Sequence, residues 1–236
     1  MNSKIPLVLG LSAVLLVTSC AASVETAPNA KDATTSVPVV SDVTESKTQS
    51  ASPSTSAESK EITAEDIVPS LKLAQSDTDL PPEEVKDASI KKETFRALAP
   101  LSYAHEYAAV NESGDLCLVA WASSGDGDGP ATLNGPKIQC EDPTEAKENG
   151  ISLKIESDQD KPGVVLAMLP PEITEDAVRS VLLKIPGNHE DLRPPVEFRA
   201  TDDGLVSVAM EPETAKDLGE ITFPRKNGAD FVLNLG

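Results

Sequence analysis

Apolar and polar positions divide this chain into regions of different character. Residues 5–17 are almost wholly apolar. Residues 21–60 mix Ala, Ser, Thr, Val and Pro with scattered charge, and no apolar periodicity runs through them. From about residue 61 short apolar runs return, separated by Gly, Pro and Asp/Asn clusters, which is the punctuation of short elements.

The first of these is a short helix after Thr63, with Asp66 as the acidic third position, Ile62 packing on Ile67, and Pro69 as its stop. Ser76 to Pro82 reads as a polar turn. Residues 82–98 then read as an amphipathic helix opened by Pro81 and Pro82, with Val85, Ala88, Phe95 and Leu98 on one face and Pro100 as its end. Strands follow. Tyr103–Val110 and Leu116–Ala122 flank the turn Asn111-Glu112-Ser113-Gly114-Asp115. Asp142-Pro143-Thr144-Glu145 opens a helix of about two turns that Gly150 stops. Ile151, Leu153 and Ile155 alternate with polar residues, the pattern of a half-buried strand, and Val164–Leu169 returns beside it. Val178–Ile185 is ambiguous. Thr174 offers a helix cap, but the β-branched content and Pro186-Gly187 favour a strand. Val196–Ala200 and Leu205–Met210 form a hairpin around Asp202-Asp203-Gly204. Ile221–Pro224 and Phe231–Leu235 form another around Lys226-Asn227-Gly228, with a type I′ preference. No internal repeat at a fixed period is visible. Hairpins without β-helix-β alternation imply an α+β fold: a mostly antiparallel β domain of about eight short strands with two or three short helices.

The apolar run 5–17, preceded by Lys4, is too short for a membrane span of ~20 residues but suits the core of a signal peptide. It ends in Leu16-Val17-Thr18-Ser19-Cys20, and this stretch resembles a bacterial lipobox. The resemblance covers about the first 20 residues. It implies a diacylglycerol thioether on Cys20 and cleavage just before it, making Cys20 the mature N-terminus. One acyl chain binds a membrane marginally and two anchor stably. The expected organisation is a lipoprotein signal peptide (1–19), a lipidated Cys with a disordered Ser/Thr/Pro-rich tether (20–60), a partly ordered lead-in (61–80) and a single β-rich domain (81–236). The tether would span roughly 35 Å as a random coil. The expected location is the extracytoplasmic face of a bacterial cell membrane, with the membrane contacted through lipidated Cys20.

Composition narrows the partners. The formal charge is −19, and loss of Lys4 makes it more negative, so nucleic acid is not an expected partner. One Trp, two Tyr and four Phe weakly disfavour sugar and nucleobase sites built on aromatic platforms. With Cys20 lipidated, Cys117 and Cys140 remain. In an exported chain they most simply form a disulfide, contributing ~3 kcal/mol by loop closure. Two free thiols or a metal pair are the other readings, and neither cysteine has a Cys or His at metal-ligand spacing.

Candidate chemistry is sparse. Asp126 and Asp128 lie in a Gly/Asp run reminiscent of a cation loop, yet the twelfth position counted from Ser124 is Gly135 where an EF-hand needs Glu. Ser89-Ile90-Lys91-Lys92 matches Ser-x-x-Lys without its companion motifs. Lys91, Lys92 and Arg96 form a small basic patch on the expected helix. His105, beside Glu106, and His189 are the two histidines; neither belongs to a metalloprotease or nucleophile-elbow motif. No catalytic residue, cofactor or metal is assigned. The expectation is a non-enzymatic interaction domain contacting an envelope protein or ligand. The alternatives are an envelope hydrolase with a site around His105 or His189, and a small-molecule or ion-binding transporter accessory lipoprotein.

Overall fold

The structure is a computed structural model describing residues 61–124, 132–188 and 194–236. Cys20, the tether, Asp126, Asp128 and His189 lie outside the described residues. Helices are α1 Ala64–Ile67, α2 Pro143–Asn149, α3 Glu175–Leu182 and α4 Pro212–Leu218. Strands are β1 Arg96–Ala97, β2 Ala104–Val110, β3 Leu116–Ala122, β4 Asn134–Glu141, β5 Ile151–Ile155, β6 Val164–Met168, β7 Val196–Ala200, β8 Val206–Met210, β9 Glu220–Pro224 and β10 Asp230–Asn234. Every pairing among them is antiparallel, so the fold is α+β and mostly β.

The strands form three sheets, β1-β2-β3-β4, β5-β6-β8-β7 and β9-β10. Side-chain alternation explains how they stack. On β3, Leu116, Leu118, Ala120 and Ala122 join a core shared with Ile151, Leu153, Val164, Leu166 and Met168 of the second sheet. Cys117, Val119 and Trp121 point the other way. On β6, Val165 and Ala167 point away from the first sheet, into a core with Val178 and Leu182 of α3 and with Ile221, Phe223, Phe231 and Leu233 of the third. Strands β3, β6 and β8 are buried along their whole length because both of their faces are covered, and they read as continuous apolar runs for that reason.

Two helices carry the chain from one layer to the next. Asp142-Pro143…Ala146-Lys147…Gly150 follows the β3–β4 hairpin and leads into β5–β6. Glu211-Pro212…Ala215-Lys216…Gly219 follows β7–β8 and leads into β9–β10. Both place Pro in the first turn, bury the Ala, and stop when the glycine N–H returns to that Ala carbonyl. The glycines take φ +67° and +69°. The chain is therefore two ββαββ passages, each stepping to the next sheet.

The helix expected over 82–98 does not form. Ser89 N and Oγ both donate to Asp87 Oδ1, at 2.9 and 2.7 Å, a local turn that competes with helix. Lys91 N then donates to Val110 O and Leu98 N to Glu106 O, so the segment docks along β2 instead. Val85, Ile90 and Phe95 cover the outer face of the first sheet, where Tyr107 meets Phe95 and Trp121 edge-on at 6.1 and 5.8 Å. Leu98 falls into the opposite core and Ala88 is exposed, so of the four expected face residues only Val85 and Phe95 share a face.

Residues 178–185 are not a strand. Thr174 Oγ1 accepts from Ala177 N at 3.3 Å, Arg179 pairs with Glu175 at 2.7 Å, and Val178 and Leu182 bury the i, i+4 stripe. The cap and stripe outweigh β-branched propensity. The sequence pattern predicts neither strand β4 nor helix α4. The β9–β10 turn is not type I′. Arg225 N donates to Ala229 O and Gly228 N to Arg225 O, enclosing three residues, and there Gly228 takes positive φ (+82°) without Asn227. Residues 61–80 contribute to the first core through Ala64, Ile67 and Val68.

Candidate functional site

The parity of β2 puts Glu106 on the same face as Ala104 and Ala108, opposite Ala120 in register. That face looks into the core between the first and second sheets. On the second sheet, β7 and β8 pair Glu197 with Ala209 and Arg199 with Ser207, and Ala209 belongs to the same core. Two carboxyls and a hydroxyl therefore enter one apolar layer from opposite sheets: Glu106, Glu197 and Ser207, exposed by 4%, 3% and 2%.

Their surroundings differ. Glu197 Oε2 accepts from Ser102 N at 2.7 Å and Ser102 Oγ at 2.5 Å, and Arg199 Nη2 lies 3.0 Å from Oε1. Neither oxygen of Glu106 has a hydrogen-bond partner. Burial pushes its carboxyl up from 4.5 to about 8. The Ser207 hydroxyl favours the charged form without reaching hydrogen-bonding geometry, and the Glu197 charge opposes it. At neutral pH Glu106 is a neutral acid beside Glu197, whose side chain is ion-paired and hydrogen-bonded. Such a group holds a proton that the unfolded chain releases, so its direct chemical consequence is proton-linked stability. In the sequence Glu106 stands out merely as the neighbour of His105. The available signal was an acid at the inward parity of an otherwise apolar strand.

His105 sits on the opposite face of β2, in register with Trp121, and is exposed. The fold thus separates it from the Glu106–Glu197 layer. Ser89 is engaged with Asp87, and Lys92 pairs with Glu84 at 2.8 Å. Arg96, expected on an exposed helix face, is 5% exposed. Its guanidinium donates to the carbonyls of Ser70 at 3.0 Å, Glu93 at 3.1 Å and Phe95 at 2.6 Å, and also to that of Leu73. It clamps residues 70–73 onto the first sheet. Next to it Asp79 takes Ala97 N–H at 3.0 Å; hydrogen bonds from Ser76 and Ala97 and the Arg96 charge outweigh burial and hold its carboxyl below the usual range.

Cys117 and Cys140 face each other across β3–β4 and are bonded at 2.06 Å. A cleft of about 320 Å3 is lined by Tyr103, Ser123, Ser157, Glu211 and Glu213 among others. Another, of about 340 Å3, lies between Thr63, Lys91, Ser113 and Asp142. Glu106 and Glu197 line neither. Among the described residues no group of three or more His, Cys, Asp or Glu side chains is arranged to hold a metal, and no helix is long and apolar enough to cross a membrane. Comparison with family models, curated proteins and solved structures returns no match.

Proposed function

We propose that this chain is a lipid-anchored extracytoplasmic lipoprotein whose three-sheet unit works as a non-enzymatic interaction domain on the cell envelope. The observation that carries the reading is the division of labour among its cysteines. Cys20 ends the lipobox-like run Leu16–Cys20, while Cys117 and Cys140 are bonded to each other. A structural disulfide belongs to an oxidising compartment, which is where a lipobox would deliver the chain. The polar stretch 21–60 then serves as a tether, raising the effective concentration of the domain for partners in the same envelope. The buried polar groups with defined partners serve the fold: Glu197 ties Ser102 to β7, and Arg96 ties residues 70–73 to β1.

Replacing Cys20 tests the anchor. Cys20→Ser is expected to leave the precursor unprocessed or to move the protein out of the lipid-anchored fraction, with loss of acyl label. A variant that fractionates and labels as the parent does would refute lipidation at Cys20. Crosslinking in intact cells, followed by mass spectrometry, is expected to recover one enriched envelope protein. Recovery of the chain alone would move the reading to a small ligand.

A further inference from the structure

The hydrogen bonds at the two ends of the β9–β10 hairpin fix which way its backbone points. Leu235 N donates to Gly219 O at 3.0 Å, and Arg225 N donates to Ala229 O at 2.9 Å. Between them the register is Phe231↔Phe223, Val232↔Thr222 and Leu233↔Ile221. Hydrogen-bonded pairs alternate in an antiparallel ladder, so Phe231 and Leu233 turn their N–H and C=O groups toward β9. Asp230, Val232 and Asn234 turn theirs outward. Strand β10 pairs with β9 alone, and no partner for those outward groups is present among the described residues. The side chains of Asp230, Val232 and Asn234 are exposed, Val232 by 42%.

The other sheet edges are blunted, as natural edges usually are. Strand β1 is two residues long, and Asp79 takes its Ala97 N–H at 3.0 Å. Strand β4 carries Pro136 and Lys137. Strand β5 carries Lys154, and Asn134 Nδ2 takes the carbonyl just beyond its end, Glu156 O, at 2.8 Å. The first N–H of β7, that of Val196, goes to Asn188 Oδ1 at 3.0 Å. Strand β9 ends in Pro224 and lies against α3. Strand β10 has no Pro, no Lys and no bulge.

We infer that β10 is the surface through which two copies of this chain pair, edge to edge and antiparallel, about a two-fold axis through Val232. This inference rests on β10 and is independent of the lipid anchor. The strand Asp-Phe-Val-Leu-Asn is complementary to itself in that register. Val232 meets Val232 of the second copy, and Asp230 meets Asn234, so a carboxylate lies beside an amide. All of the outward-facing backbone groups are then paired. Centring the axis on Phe231 or Leu233 leaves one end of the strand unpaired, and centring it on Asp230 sets like charges opposite each other, which is destabilising. The joined hairpins make one four-stranded sheet. The formal charge of −19 per chain opposes the approach of a copy, so pairing strengthens as salt screens that repulsion.

Sedimentation velocity of the full chain in detergent tests this. The expected result is a dimer whose fraction rises with protein concentration and with salt. Val232→Lys places like charges on the axis and is expected to abolish the dimer. Thr222→Lys, exposed on β9, is expected to retain it. Both should keep the circular dichroism of the parent. A chain that stays monomeric throughout, or a Val232→Lys variant that dimerises like the parent, would overturn the inference. Should Val232→Lys misfold, Val232→Cys with a short bismaleimide decides instead. It is expected to crosslink two copies, whereas Thr222→Cys, roughly 15 Å from its counterpart by strand spacing, is not. Equal crosslinking of the two, or none at Val232→Cys, would equally refute the register.

Discussion

Replacing Glu106 by Gln keeps the shape of a side chain sealed between two sheets and removes its proton equilibrium. Burial raises the folded carboxyl from 4.5 to about 8. The folded acid therefore keeps its proton over a pH range in which the unfolded acid has lost it. Stability from this group is fully present below pH 4.5 and is lost as pH rises toward 8. The slope in that window is about 1.4 kcal/mol per pH unit, which amounts to roughly 3 kcal/mol by pH 7 and roughly 5 kcal/mol across the window. Gln carries no such term, but its amide brings two N–H donors where the neutral carboxyl has one O–H, into a site that offers neither group a partner, at a cost of about 1–2 kcal/mol relative to the neutral acid. Glu106→Gln is thus expected to be about 1–2 kcal/mol less stable than the parent near pH 4.5 and about 1–2 kcal/mol more stable at pH 7, the two curves crossing between. Urea denaturation followed by fluorescence of Trp121, the single Trp and fully buried, measures both proteins at a series of pH values. Contributions from ionisable groups remote from Glu106 are common to both proteins and cancel in the difference. A difference that stays flat from pH 5 to pH 8 would refute the assignment of a buried neutral acid.

Two further substitutions test the packing. Gly150 and Gly219 end equivalent helices with positive φ, but a Cβ on Gly150 would lie 2.4 Å from Met168 O, while one on Gly219 would meet nothing within 4 Å. Gly219→Ala is expected to lose about 1 kcal/mol from backbone strain alone, and Gly150→Ala distinctly more, both read by thermal denaturation; equal losses would refute the steric difference. Arg96→Met leaves one buried and three part-buried carbonyls without this donor and is expected to cost about 3 kcal/mol. Limited proteolysis should then cut within residues 70–80 before the rest of the unit, and a parent-like cleavage pattern would count against the clamp.

Elements whose local signals agree were legible in the chain. Strands β3 and β5 match their expected bounds, because a fully apolar run and a clean alternation each admit one reading. Helix α2 was marked at both ends, by Asp142-Pro143 and by Gly150. Where signals conflicted, local propensity misled. In α3 the Thr174 cap and the Val178/Leu182 stripe prevailed over β-branched content. In 82–98 helical spacing gave way to the bare edge of β2, which needed covering. Strand β4 lacks an apolar pattern because it is an edge with mixed exposure.

By itself, the sequence determined the antiparallel α+β class, the positions of the β2–β3, β5–β6, β7–β8 and β9–β10 hairpins, the candidate cysteine pair and the signal-like run ending at Cys20, since each depends on neighbours close along the chain. Tertiary structure alone decided which face of each strand lies between which sheets. It thereby turned Glu106 from a polar residue beside a histidine into a buried, unpartnered acid across from Glu197. It also turned Arg96 from a surface charge into a clamp on four carbonyls, and it left β10 as the bare edge. Burial and pairing across sheets depend on residues far apart in sequence, and the energy of an ionisable group is set by what surrounds it in space.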